Sequence, residues 1–303
     1  MVAKSRICLT GTGGHPGLNA LAMKYQPILD TIYDKSIVVV PSKPDSTAVK
    51  VLERLGVDVK LQKGSTLGYA RKESIEHALQ EEFNHIHFCD YDRILHWVMT
   101  YPEELKQITK HIPSFDFLIL GRNFRAFLSH PPVQVMFEAL TNFIYFLVTN
   151  DLIDVAAMSR GMSNDVASFL IKNVQSQVFS CTSDSELPIL AKKLAKYLSS
   201  VHEDSLKIGY IKVKGLEFED ADRYMLEIAK SGVSLPIWKI KMCLSPKVWK
   251  IRTKHFIEIS SIAIKTNKRT DINYGIPEMK SAKGRVCHAR NLARRGEIGP
   301  KAC

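Results

Sequence analysis

Four short apolar runs, separated by stretches of helical periodicity, fill the first 90 residues and leave few folds open. They are residues 6–10 (RICLT), 36–40 (SIVVV), 57–61 and 85–89 (HIHFC). Between them, residues 18–33 form one expected helix, with Pro27 as a kink or break. A second, capped by Asp45 or Ser46 and ended by Gly56, carries Val49, Leu52 and Leu55. A third, over 70–82, turns Ile75, Ala78 and Leu79 inward. Near-continuous apolar strands alternating with helices predict an α/β fold: a mainly parallel, twisted sheet with helices on both faces. Ligands of such sheets bind at the carboxyl ends of the strands. That rule directs attention to residues 11–17, 41–45 and 90–93.

The alternation continues less regularly. Residues 115–120 (FDFLIL) predict a strand ending at Gly121-Arg122. A long helix follows Pro131-Pro132, with Val133, Met136, Phe137, Leu140, Ile144 and Leu147 at helical spacing. Next come a short strand at 155–158, a helix over 165–172 capped by Ser163, and a helix opened by Ser183 or Asp184. A strand at 207–213 precedes helices at 218–229 and 246–264. The expected organisation is one α/β domain over 1–265, with a nucleotide-binding half to residue 121 and an acceptor half from 122. A basic, flexible tail is expected over 266–303.

Charge is distributed unevenly. The chain of 303 residues has a net charge of +11, yet residues 239–303 alone hold 16 Lys and Arg against 4 Asp and Glu. A neutral body with a basic C-terminal part suits contact with phosphate, in lipid head groups, nucleic acid or a phosphorylated substrate; a solvated tail is the plainer alternative. No nucleic-acid-binding motif stands out. Residues 238–264 interleave Trp238, Ile240, Trp249 and Phe256 with lysines. They fit an interfacial membrane anchor, or an ordinary helix whose lysine stems cover apolar surface. No signal peptide is evident, and the apolar stretch 133–148 is interrupted by Gln134, Glu138 and Asn142. The expected location is the cytoplasm, with peripheral membrane contact. Six cysteines without paired spacing predict free thiols rather than a zinc site or a disulfide framework.

The segment Cys89-Asp90-Tyr91-Asp92-Arg93 holds the strongest chemical signal. Two carboxylates at i and i+2 beyond an apolar strand can turn towards one spot and hold a hard divalent cation, whose remaining ligands a nucleotide diphosphate supplies. A cap plus a surface aspartate would leave the same trace. Some 20 residues earlier lies Gly64-Ser65-Thr66-Leu67-Gly68-Tyr69-Ala70-Arg71, then the third helix. This order of glycine, Ala-Arg, helix, strand and Asp-x-Asp resembles the type-A glycosyltransferases, the Rossmann-like nucleotide-diphospho-sugar transferase fold. The resemblance spans residues 37–120 and extends loosely to 264. It implies a nucleotide-sugar donor and a Mg²⁺ or Mn²⁺ cofactor. It also implies Asp92 as metal ligand, Asp90 on the ribose or the metal, and Arg71 near the phosphates. Pro41 falls where the family touches the base, with Asp45 the nearest carboxylate.

The turn Gly11-Thr12-Gly13-Gly14-His15-Pro16-Gly17 departs from the family's Pro-x-x-Asn-Glu-like segment. A sugar-nucleotidyltransferase of the same fold therefore remains an alternative, as does a non-catalytic protein that binds polyanions or membranes. Arg122 and Arg125 are candidates to clamp a phosphate or an acceptor carboxylate. Glu138 and Asn142, four residues apart on an apolar helix, call for polar partners. A base to deprotonate the acceptor would come from Asp154, Asp165 or the cluster Glu217-x-Glu219-Asp220-x-Asp222, with Asp154, Glu217 and Asp220 foremost. Trp97 fits stacking on a sugar or core packing, and His255 fits a late metal ligand or an ordinary helical histidine.

Overall fold

The computed structural model describes residues 5–175, 183–201 and 206–274. Its sheet has seven strands in the order β3-β2-β1-β4-β6-β5-β7. They are β1 Ile7–Thr12, β2 Lys35–Val40, β3 Asp58–Leu61, β4 His85–Cys89, β5 Phe117–Arg122, β6 Ser159–Ser163 and β7 Ile208–Val213. β6 runs antiparallel to both its neighbours, β4 and β5; every other pairing is parallel. The expected α/β class with a mainly parallel sheet is borne out.

Helices cover both faces because the central strands are apolar on both sides. Ile7 and Leu9 pack with α1 (Asn19–Ile32), α4 (Tyr91–Thr100) and α5 (Pro102–His111). Cys8 points the other way, into a core shared with α3 (Leu67–Leu79), α8 (Asn164–Asn173) and α9 (Ser183–Val201). α2 (Ser46–Arg54) starts where expected: the Asp45 carboxylate accepts from the N–H groups of Thr47 and Ala48 at 2.9 and 3.0 Å. Gly56, at φ 78°, ends it.

After β5 the chain forms α6 (Phe124–Leu128) and α7 (Pro132–Thr149). By length and composition α7 could cross a membrane. Its polar residues, however, are spent inside the protein: Gln134 on Arg252, Glu138 on Arg122 and Asn142 on Asp154. The last helices are α10 (Asp220–Arg223), α11 (Met225–Ser231), α12 (Leu235–Cys243) and α13 (Pro246–Lys268). α13 lies against α7 and α9, with Ala263 packed beside Tyr145 and Ile189.

Three expectations need correction. The strand placed at 155–158 lies at Ser159–Ser163, and Val155–Ala157 is a 3₁₀ turn. The helix over 218–229 is divided at Tyr224 into α10 and α11. The tail does not begin at 266: α13 runs to Lys268, Asn273 N–H donates to Asn173 Oδ1 at 2.9 Å, and Tyr274 stacks on Tyr197 at 4.2 Å. The rest of the expected tail, 275–303, lies outside the described residues. Cys8, Cys89 and Cys243 are free thiols; Cys181, Cys287 and Cys303 lie outside the described residues.

Candidate metal and donor site

Everything in the site is organised by the junction of β4 and α4. β4 ends at Cys89 and α4 starts at Tyr91, so Asp90 is its N-cap residue and Asp92 sits in its first turn. Asp90, whose backbone is not helical, is bonded to groups on β1 and α3, whereas Asp92 belongs to a separate group of carboxylates. Asp90 accepts from Thr12 Oγ1 and from an Arg71 terminal nitrogen, both at 2.7 Å. Burial alone would raise its pKa, but the Arg71 and Arg93 guanidinium groups outweigh that and hold it low.

Asp92 lies beside the start of α10. There Asp92, Glu219 and Asp220 each bring a carboxylate oxygen within 4.8 Å of the others. Like charges so close need compensation. Arg93 supplies some, its Nε donating to Glu219 at 2.7 Å. Arg223 supplies more, pairing with Asp92 and approaching Asp220 at 3.5 Å. Burial and the neighbouring Glu219 push the Asp220 carboxyl up to about 6. Converging carboxylates with one group reluctant to ionise form an all-oxygen donor set, the kind that Mg²⁺ or Mn²⁺ takes. Asp92 and Asp220 both belong to this group, and Asp90 does not.

The glycine-rich turn packs directly beside this junction. A Cβ on Gly11 would lie 2.0 Å from the Cys89 carbonyl oxygen, and one on Gly13 would lie 2.8 Å from Tyr91 Cβ. Gly14 has φ 95°. These glycines let the end of β1 approach β4 and α4, and they turn the chain towards β2. Pro41 and Asp45 stay exposed at the end of β2, and the Asp45 carboxylate is engaged in capping.

Beyond Arg71 opens a small cleft of about 80 Å³, lined by Arg71, Arg93, Glu138, Asp184, Arg252 and His255 among others. Arg71 links this cleft to the β4 end, reaching Asp90 and, at 2.9 Å, Asp184 on the first turn of α9. Burial pushes the Asp184 carboxyl up to about 6 against the pull of Arg71 and Arg160. Burial and Arg252 lower His255 to about 4, so its ring is neutral near pH 7. His255 lines the cleft and is not among the converging carboxylates.

The remaining candidates serve other ends. Arg122 is not a loop residue but the last residue of β5, with its side chain 1% exposed. It forks onto Asp154 at 2.7 and 2.8 Å and reaches Glu138 at 2.6 Å, so it is in no position to clamp a ligand. Burial would raise Asp154, but Arg122 holds it well below the carboxylate range, which makes it a poor base. Glu217 pairs with the exposed Arg125 at 2.8 Å. Asp165 lies in the first turn of α8. Asp222 accepts from His96 Nδ1 at 2.7 Å; burial alone would lower His96, and Asp222 and its acidic neighbours raise it instead. Trp97 is fully buried against His87 and Gly215.

For Asp184, Arg93 and Arg223 the local sequence alone assigns no functional role. In sequence Asp184 fits a helix opener, yet Ser183, Asp184, Ser185 and Glu186 are all buried. The usable signal was a dense polar run at the start of an apolar helix.

No family model matches the chain, and no curated protein matches it. Among solved structures it is similar to glucosyl-3-phosphoglycerate synthase from Mycobacterium tuberculosis in complex with Mn²⁺, UDP-glucose and phosphoglyceric acid. That match has TM-score 0.47 and 11% identity, covering 89% of this chain and 82% of that one. A structure described as a mycobacterial protein gives TM-score 0.46 and 11% identity over 69% of this chain and 67% of its own. Likeness at this level leaves both the fold and the function to rest on this chain's own strands and side chains.

Proposed function

We propose that the chain is a divalent-metal-dependent glycosyltransferase that moves a sugar from a nucleotide-diphosphate donor to an acceptor hydroxyl. The observation that carries the reading is the convergence of Asp92, Glu219 and Asp220 at the carboxyl end of β4, beside the turn at Gly11–Gly14. Asp92, Glu219 and Asp220 would hold Mg²⁺ or Mn²⁺. Bound there, the cation supplies Lewis-acid stabilisation of the departing diphosphate.

The chain's own residues do the rest. Asp90 and Arg71 fix each other and the end of β4, so the donor meets a preformed wall. Asp184 is the carboxylate we assign to take the acceptor's proton: it lines the cleft, and its pKa of about 6 suits a base working near neutral pH. The pairs Arg122–Asp154 and Arg93–Glu219 hold the surrounding elements in register.

Product identity tests this reading. Incubation with Mn²⁺ and UDP-, GDP- or ADP-hexoses, with simple sugars and sugar phosphates as acceptors, is expected to release a nucleoside diphosphate. Release of pyrophosphate from a nucleoside triphosphate and a sugar phosphate would instead identify a nucleotidyltransferase.

A further inference from the structure

α11 and α12 bury no residue at all, although residues 225–251 are rich in large apolar side chains. Met225, Leu226, Ile237, Ile240, Leu244 and Trp249 are 58, 79, 49, 55, 77 and 42% exposed. A helix that is apolar all round is ordinarily covered, and contiguous exposed apolar surface marks an interaction site. The same residues include five lysines and one glutamate, and Lys230, Lys241, Lys247 and Lys250 are exposed. The inner side of this lobe is firmly seated: Trp238 packs on Phe218 and Tyr224, and the Lys239 ammonium lies 5.0 Å from the Phe218 ring centroid.

We infer that this lobe docks the protein onto an anionic lipid surface. Short helices carrying outward aliphatic and tryptophan side chains interleaved with lysines suit the boundary between headgroups and acyl chains. There the apolar groups insert, and the ammonium groups meet lipid phosphate and carboxylate. A second copy of the chain fits less well, because a two-fold contact through this patch would set its lysines against themselves. A nucleic acid would satisfy the lysines but leave Leu226, Ile240 and Leu244 uncovered. α10, which carries Asp220 and Arg223, leads directly into α11, so the docked face adjoins the carboxylate group. The docking stands on the patch alone. That a membrane-borne acceptor would thereby be presented to the cleft rests on the transferase reading.

Flotation of the full chain with vesicles tests the docking without any assay of transfer. Binding is expected to phosphatidylcholine vesicles containing phosphatidylserine, to weaken with added salt, and to be slight on phosphatidylcholine alone. Ile240→Glu with Leu244→Glu should cut the bound fraction by at least about tenfold, and so should Lys241→Gln with Lys247→Gln and Lys250→Gln. Melting temperatures should hold, because these side chains lie outside the core. Failure of the wild type to float with anionic vesicles overturns the inference, as does binding that ignores both sets of substitutions. A stable dimer in light scattering that Ile240→Glu with Leu244→Glu dissociates would assign the patch to a second copy and equally overturn it.

Discussion

Asp92→Asn is expected to lower sugar transfer by about 10³-fold while leaving the fold intact. Asparagine keeps the shape of the side chain and removes the charge from the centre of the Asp92, Glu219 and Asp220 group. Lewis-acid stabilisation of the leaving diphosphate contributes several kcal/mol, and about 4 kcal/mol corresponds to that factor. The folded state loses little: the asparagine oxygen can still accept from the Arg93 N–H, and Arg223, the charged partner of Asp92, is 30% exposed and also reaches Asp220. Steady-state rates at saturating Mn²⁺, together with melting curves of both proteins, check this. Undiminished transfer by Asp92→Asn would remove Asp92 from the chemistry.

The largest effect on stability is expected from Asp154→Ala. Asp154 accepts from the Arg122 backbone N–H at 2.9 Å, from Arg122 Nε and a terminal nitrogen, and from Asn142 at 3.0 Å. Its removal leaves the Arg122 guanidinium buried with Glu138 as its remaining carboxylate. Breaking such a pair costs about 3–5 kcal/mol. For a chain of this size that corresponds to a fall in melting temperature on the order of 5–15 °C. The pH dependence follows from the depressed pKa. The contribution of Asp154 is present above its unfolded pKa of 3.8 and is lost as pH falls through the lower folded value. Asp154→Ala should therefore flatten the acid limb of the stability curve. A shift within error of zero would show that the pair is not a strut between β5 and α7.

How far these features were legible in the sequence varied with the source of the signal. β2 and β4 were plain, because β-branched and apolar runs buried on both faces have no other good use. β6 was not. Its sequence, Ser-Arg-Gly-Met-Ser, lacks such a run, and tertiary contacts make it a strand. Gly161 leaves room for Ile112, and buried Arg160 donates to the carbonyls of Ser159 and Val155 at 2.8 and 2.7 Å. The Asp90-x-Asp92 motif was legible as a site, but its geometry was not. Asp92 meets Glu219 and Asp220 from a distant part of the chain, which the motif itself does not encode. Asp184 was hidden because its partner, Arg71, lies 113 residues away, a distance across which local patterns carry nothing.

The most direct test of metal-dependent donor binding is the melting temperature with UDP, GDP, ADP, CMP and dTDP, each with and without Mn²⁺, for the wild type and Asp92→Asn. A ligand at 100 times its dissociation constant stabilises by about 2.7 kcal/mol, a clear shift. A Mn²⁺-dependent rise with one nucleoside diphosphate, absent in Asp92→Asn, is the predicted result. No shift with any nucleotide, or an equal shift in both proteins, would contradict a donor site built on Asp92.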